Sequence, residues 1–309
     1  MKKFKKIVLA GGSGYLGQVL AKHYGDLADE VIILARRKQQ VTGNIRYISW
    51  DGKTAGDWCE HLSNADLLIN LCGKNVNCRY TQKNQTAIIE SRVIPTLLLN
   101  RVIEKIENPP RVWINVTSAT IYRHAEDQPQ NEIEGEIGYG FSIDVCKQWE
   151  GSFFRISTPK TRKVALRMGI VFGRADGAFP RLLNLVKIGL GGRQGDGEQY
   201  VSWIHEQDAA LSTQWILENE SISGIVNCTA PNAIKNTELM KTIRTTYGIS
   251  LGLPCPTWML TFGAWLIGTE TELILKSRWV YPKVLEESGF KFQYPTIGVT
   301  TRDLLSLRK

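Results

Sequence analysis

The chain is poor in the features that mark several protein classes. Its six cysteines, at positions 59, 72, 78, 146, 228 and 255, include no C-x-x-C pair and no Cys/His cluster. That argues against a zinc ribbon and against a disulfide framework, and unpaired thiols in a chain this long fit a reducing cytoplasm. Long apolar runs are missing too. The longest late in the chain, residues 258–268, falls well short of the ~20 residues of a membrane span. The basic start, Met1-Lys2-Lys3-Phe4-Lys5-Lys6, leads into Ile7-Val8-Leu9-Ala10 and is then broken by Gly11-Gly12-Ser13-Gly14, an apolar stretch too short for a signal peptide. No internal repeat or low-complexity tract is visible. No nucleic-acid reader motif accompanies the net charge of +8; the charge fits a lysine-rich surface that also suits an anionic small-molecule ligand.

What remains is an ordinary globular composition, 43% hydrophobic and 22% charged over 309 residues, enough for one large or two moderate domains. Residues 6–10, 31–34, 45–48, 67–71, 112–116 and 164–167 read as strands. Residues 15–24 and 83–106 read as helices, the second closed by Pro109-Pro110. Continuous apolar strands separated by helices predict a parallel sheet covered on both faces, a doubly wound α/β (Rossmann) fold. Beyond Gly173 the chain becomes richer in glycine and aromatics. Residues 207–217 read as a helix and 224–228 as a strand returning to the sheet, followed by short helical segments between prolines. The expected division is a dinucleotide-binding domain, residues 1–173 and 200–230, and a smaller, mostly helical substrate-side domain, residues 174–199 and 231–309.

The strongest local signal is Gly11-Gly12-Ser13-Gly14-Tyr15-Leu16-Gly17, directly after the first strand and opening the first helix. Gly11 permits the tight turn, Gly14 lets backbone approach a pyrophosphate, and Gly17 allows close helix–strand packing. The helix N-terminus offers free N–H groups and a positive dipole end to phosphates. The end of the second strand selects between cofactors. An acidic residue there accepts from the ribose 2′-hydroxyl of NAD, but this chain reads Leu34-Ala35-Arg36-Arg37-Lys38. Guanidinium groups grip a 2′-phosphate, so the expected cofactor is NADP(H), with Tyr15, Leu16, Ala35, Arg36 and Arg37 in its site.

Asn70-Leu71-Cys72-Gly73, Glu90-Ser91-Arg92, Thr117-Ser118-Ala119-Thr120-Ile121-Tyr122, Cys146-Lys147-Gln148-Trp149-Glu150, residues 167–173 (RMGIVFG), residues 202–208 (SWIHEQD) and residues 289–295 (GFKFQYP) together resemble an extended-type short-chain dehydrogenase/reductase. More closely, they resemble its atypical, sugar-nucleotide-epimerase-like subfamily of NADP-binding "epimerase family proteins". The resemblance implies that Leu71 and Cys72 run beside the adenosine ribose, with Gly73 permitting close approach. It further implies that Arg92 points from the long helix toward the cofactor and that Val171 lines the nicotinamide end. Hydride chemistry in that superfamily uses Ser, Tyr and Lys, with Tyr four residues before Lys. Ser118 and Lys147 match; the Tyr position is Ile143, which has no proton to give.

Three readings follow from that departure. The chain uses another acid/base, performs chemistry needing less proton transfer to oxygen, or binds NADPH without turning it over. Tyr122, four residues after Ser118, is the first replacement candidate. Tyr139, about two turns before Lys147 if the helix extends that far, and Asp144 come next. His205 is expected as a buried, hydrogen-bonded hinge residue. The glycine-rich run at 189–197 is expected to be a mobile loop over the cleft, with Arg193 and Arg181 able to meet a substrate phosphate or carboxylate. Trp258 and Trp265 are expected in the core of the small domain. A cytoplasmic monomer or homodimer acting on a small polar molecule completes the expectation.

Overall fold

The computed structural model describes residues 2–36, 43–261 and 272–306. Seven strands form one all-parallel sheet: β1 (Phe4–Ala10), β2 (Ala28–Ala35), β3 (Ile45–Ser49), β4 (Leu67–Asn70), β5 (Val112–Ser118), β6 (Arg162–Met168) and β10 (Gly224–Cys228). Their spatial order is β10-β6-β5-β4-β1-β2-β3, with β10 added in parallel beside β6. Strand order reverses between β1 and β4, the crevice where doubly wound sheets bind ligands.

The central strands read as unbroken apolar runs because helices cover both faces. One face buries Ile7, Leu9, Val31, Ile33, Ile114 and Leu166 with Leu20, Ala21 and Tyr24 of α1 (Tyr15–Gly25) and with Ala209 and Ile216 of α5 (Glu206–Glu218). The other face buries Val8, Ile32, Leu34, Leu68 and Trp113 against Leu99 and Ile103 of α2 (Gln82–Lys105) and Phe153 of α3 (Phe141–Phe154).

A separate apolar cluster joins Phe172, Phe179, Leu183, Trp203, Leu239, Met240, Ile297 and Leu304. It gathers β7 (Ile170–Phe172), β9 (Trp203–His205), α4 (Phe179–Lys187), α6 (Asn236–Tyr247) and α9 (Ile297–Leu305). β7 pairs with β9 in parallel, and the short β8 (Tyr200–Val201) pairs antiparallel with β11 (Ile234–Lys235). α7 (Glu272–Leu275) and α8 (Lys283–Glu287) lie on the final segment. No helix among the described residues is long and apolar enough to cross a membrane.

Two sequence expectations change here. The glycine-rich run at 189–197 is laced to residues 253–255: Leu253 N–H donates to Gly189 O at 2.9 Å, Gly192 N–H to Leu253 O at 3.0 Å, and Gly195 N–H to Cys255 O at 2.9 Å. Those ladder-like bonds make it a fixed edge rather than a lid. Trp258 is 71% exposed, outside any core. Trp265 lies outside the described residues.

Candidate active site

The turn after β1 is built by its glycines. Gly11 has φ +73°, a left-handed conformation that side chains rarely adopt. A Cβ on it would also stand 2.8 Å from Cys72 Sγ, and a Cβ on Gly17 would stand 2.2 Å from Gly12 O. Gly14 differs, because a Cβ there would meet nothing within 4 Å. It is the N-cap of α1, with no side-chain cap and no acidic residue in the first turn. The free N–H groups and positive dipole end of α1 therefore face open space.

That space is a cleft of about 640 Å³ at the β1/β4 reversal. It brings together Gly11, Ser13 and Gly14, then Ala35 and Arg36 from the end of β2, and Leu71, Cys72 and Gly73 from the turn after β4. Arg37 lies outside the described residues. Several lining residues escaped the sequence reading: Trp50, Asp51, Gly52 and Lys53 after β3, and Ala87, Ile94 and Pro95 of α2. Asp51 shapes its own turn by accepting from Lys53 N at 2.8 Å and Thr54 N at 2.9 Å. Those N–H groups, Thr54's first, hold its carboxyl below the ordinary value.

The turn after β4 is fixed by buried polar groups. Asn70 Oδ1 accepts from Cys72 N at 3.1 Å, while its Nδ2 donates to Asn115 Oδ1 at 2.7 Å and Thr96 Oγ1 at 3.1 Å. Farther along, Ser91 and Arg92 clamp Lys74. Lys74 N donates to Ser91 Oγ at 2.8 Å, and Arg92 Nη2 donates to Lys74 O at 3.1 Å. The Arg92 guanidinium packs 5.1 Å from the Trp149 ring and 3.1 Å from where a Gly73 Cβ would stand. Arg92 therefore holds the turn that lines the cleft.

Tyr15, Leu16 and Gly17 form the first turn of α1, and Val171 lies on β7. The Tyr15 hydroxyl donates to the Glu206 carboxylate, and burial, followed by that bond, pushes its pKa up. Leu16 and Val171 pack against the main core.

The candidate catalytic residues sit farther along the carboxyl edge. Ser118 ends β5, and its Oγ accepts from Thr120 N at 3.2 Å. Lys147 Nζ donates to Gly138 O at 3.2 Å. Ile143 is buried with Ala119, Ile121, Tyr122, Cys146 and Val280. Tyr122 belongs to that cluster and is 1% exposed. Its hydroxyl donates to Asn227 Oδ1 at 3.0 Å and its ring lies 4.9 Å from the Arg167 guanidinium. Burial raises its pKa. The structure thus withholds the Tyr122 hydroxyl from an incoming substrate. Tyr139 precedes α3 and is 90% exposed, so it is not two helical turns before Lys147. Asp144 lies 4.0 Å from Lys147. Arg181 and Arg193 are exposed.

His205 is fully buried. Its Nδ1 accepts from Gln207 N at 3.1 Å, and Nε2 lies 3.2 Å from Asp303 Oδ2. Among the described residues, no group of three or more His, Cys, Asp or Glu side chains is placed to hold a metal ion.

The fold and the glycine turn at its strand reversal define an extended short-chain dehydrogenase/reductase architecture. The model of the NAD dependent epimerase/dehydratase family matches residues 7–228, and a domain of unknown function, DUF1731, matches residues 255–304. The chain belongs to the NAD dependent epimerase/dehydratase family. It is 31% identical over 304 residues to epimerase family protein YfhF of Bacillus subtilis (strain 168), covering 98% of this chain and 99% of that one. The crystal structure of human epimerase family protein SDR39U1 (isoform 2) with NADPH superposes with a TM-score of 0.86 at 26% identity, covering 98% of this chain and 99% of that one. The nucleoside-diphosphate sugar epimerase from Corynebacterium glutamicum gives 0.77 at 27% identity, covering 97% of this chain but 58% of that longer one.

Proposed function

We propose that this chain is an NADP(H)-dependent epimerase or oxidoreductase acting on a small polar substrate, with nucleotide-linked sugars the first class to test. One observation carries the reading: the uncapped N-terminus of α1 and the Arg36 side chain line the same cleft, with no acidic residue at the end of β2. Likeness to the human relative crystallised with NADPH supports it.

The first-turn N–H groups at Gly14, Tyr15 and Leu16 hold the pyrophosphate, with Gly11 and Gly17 keeping the turn tight. Ala35 leaves room beside the adenosine ribose, where Arg36 and Arg37 take the 2′-phosphate. Leu71, Cys72 and Gly73 form the opposite wall, braced by Arg92, and Val171 borders the nicotinamide end. The bound dinucleotide supplies or accepts a hydride. Ser118 hydrogen-bonds the substrate oxygen, and Lys147 orients the nicotinamide ribose. Six free thiols fit residence in the cytoplasm, as a monomer or homodimer.

Fluorescence titration with NADPH and NADH tests the cofactor. Wild type should prefer NADPH, and Arg36→Ala should weaken NADPH binding by about tenfold, one charge-assisted phosphate contact, while leaving NADH unchanged. Equal affinities in wild type overturn the assignment.

A second reading, a non-catalytic NADPH-binding protein, is favoured by one observation. Ile143 stands where the superfamily's proton donor would be, and the nearby Tyr122 hydroxyl is committed to Asn227. Net loss of reduced-nicotinamide absorbance on adding members of a nucleotide-sugar panel supports an oxidoreductase, and conversion of a panel member to its epimer in the presence of NADP+, with no net redox change, supports an epimerase. Tight NADPH binding with neither change across the panel supports the second reading.

A further inference from the structure

The final segment carries a buried guanidinium with no counter-ion among the described residues. Arg278 follows α7, and its main chain is held firmly, since its N–H donates to Tyr200 O at 2.8 Å and the next residue, Trp279, stacks on Tyr200 at 4.1 Å. The residue is 8% exposed. Nη1 donates to Lys276 O at 3.3 Å, and the buried Nε has no partner. No carboxylate among the described residues lies within ion-pair distance of it. The acid nearest in influence, Glu272, is already engaged by Lys276 Nζ at 3.5 Å and by Ser142 Oγ at 3.2 Å. Lys276 is itself largely buried, with a side chain 13% exposed. Among the described residues, two desolvated cations therefore have one carboxylate near them, paired with Lys276 alone, and burial pushes both of their pKa values down.

The location adds meaning. Glu272 bridges Lys276 to Ser142 near the start of α3, at 3.5 and 3.2 Å. Ser142 adjoins Ile143, so the Glu272–Lys276 pair just before Arg278 packs against the end of α3 that carries the candidate catalytic positions. A guanidinium has five N–H donors, and burying one without an anion costs several kcal/mol. An apolar side chain of similar volume would give a more stable fold. The fork of Nε and Nη2 matches the paired oxygens of a carboxylate or phosphate.

We propose that Arg278, seconded by Lys276, receives an oxyanion of the substrate, a carboxylate or phosphate group, on the α3 side of the cleft. This deepens the proposed function and rests on its placing the substrate beside α3.

The test compares wild type, Arg278→Met and Arg36→Ala, each saturated with NADPH so that the phosphate cradle of the cofactor is filled. Each is titrated with inorganic phosphate and, separately, with malonate, reading Tm. In wild type one of the two anions should raise Tm by about 2 °C at ten times its Kd. Arg278→Met should lose that rise while matching or exceeding wild-type Tm without anion, and Arg36→Ala should keep the rise. The effective anion separates phosphate from carboxylate recognition. The proposal is overturned if neither anion moves wild type, if Arg278→Met responds equally, or if Arg278→Met is clearly less stable without anion, as a structural arginine would be. NADPH affinity measured on the same samples keeps failure of the cofactor reading apart, and the anion series repeated without cofactor stands independently of it.

Discussion

Glu150 and Arg167 meet beneath the carboxyl edge of the sheet in a two-point ion pair, Arg167 Nε donating to Glu150 Oε1 at 2.9 Å and Nη2 to Oε2 at 2.8 Å. Thr117 Oγ1 adds a third bond to Oε1 at 3.1 Å, and both side chains are almost wholly buried. The pair ties α3 to β5 and β6, below Tyr122. Removing one partner leaves the other charged and dry, which costs about 3–5 kcal/mol, whereas replacing both with apolar groups is often close to neutral. Arg167→Met should therefore lose about 3–5 kcal/mol in urea unfolding, and the Arg167→Met/Glu150→Met double variant should recover most of it. A double variant no better than the single one would show that the pair contributes more than mutual neutralisation.

The glycine turn makes a contrasting pair of predictions. Gly17 has no room for a methyl group against Gly12 O, while Gly14 faces open space. Gly17→Ala should lower stability by about 1–3 kcal/mol, the ordinary cost of overpacking. Gly14→Ala has an ordinary extended backbone, φ −79° and ψ 177°, and should stay within about 1 kcal/mol of wild type. It should nevertheless bind NADPH more weakly, because its methyl group occupies the approach to the helix N-terminus. Calorimetric Tm and NADPH Kd on the two variants separate folding from binding.

Most of the sheet was legible in the sequence because buried parallel strands must be continuously apolar, and residues 6–10, 31–34, 67–71 and 112–116 all fall on observed strands within a few residues of their ends. The turn at Gly11 was legible because left-handed backbone has few tenants besides glycine. Asn70 was not. Its partners come from α2 and β5, and a polar core network joins residues that only the folded topology brings together. Tyr122 misled for a related reason. Its place after β5 suggested an open edge, but the single 3-10 turn of Ala119–Ile121 sends its ring inward to Arg167. The glycine run at 189–197 suggested freedom, and its backbone partners, remote in sequence, removed it.

Ile143 offers a direct test of whether the missing hydroxyl is a simple vacancy. Its side chain is in the small cluster with Ala119, Tyr122 and Val280 and is within reach of Gly138, whose Cβ would stand 2.7 Å from Ile143 Cδ1. A tyrosine there must find space for a ring. Ile143→Tyr should lose about 1–3 kcal/mol by overpacking and should not generate new turnover of NADPH with a nucleotide-sugar panel. A stable Ile143→Tyr protein that oxidises NADPH where wild type does not would mean that the cluster yields readily and that only the proton donor was lacking.

Histidine burial sets the pH response of the fold. The His205 ring stacks on Tyr294 at 3.7 Å, accepts from Gln207 N and meets Asp303. Burial pushes its pKa down, only partly offset by Asp303. His23, 2.9 Å from Gln214 Oε1, is shifted the same way by burial. Above the unfolded value of about 6.5, both states are neutral and stability does not depend on these groups. As pH falls below it, the unfolded chain takes up the proton first. Stability therefore declines, by at most about 1.4 kcal/mol per pH unit for each group, until the lower folded pKa is passed. His205→Gln should be less stable at pH 7.5 but decline less steeply than wild type toward pH 5.5 in urea unfolding. Because Asp208 and Glu132 are raised by burial and present in both proteins, their opposite contribution cancels in the comparison. Parallel declines in the two proteins would remove His205 from the acid response and leave His23 to account for it.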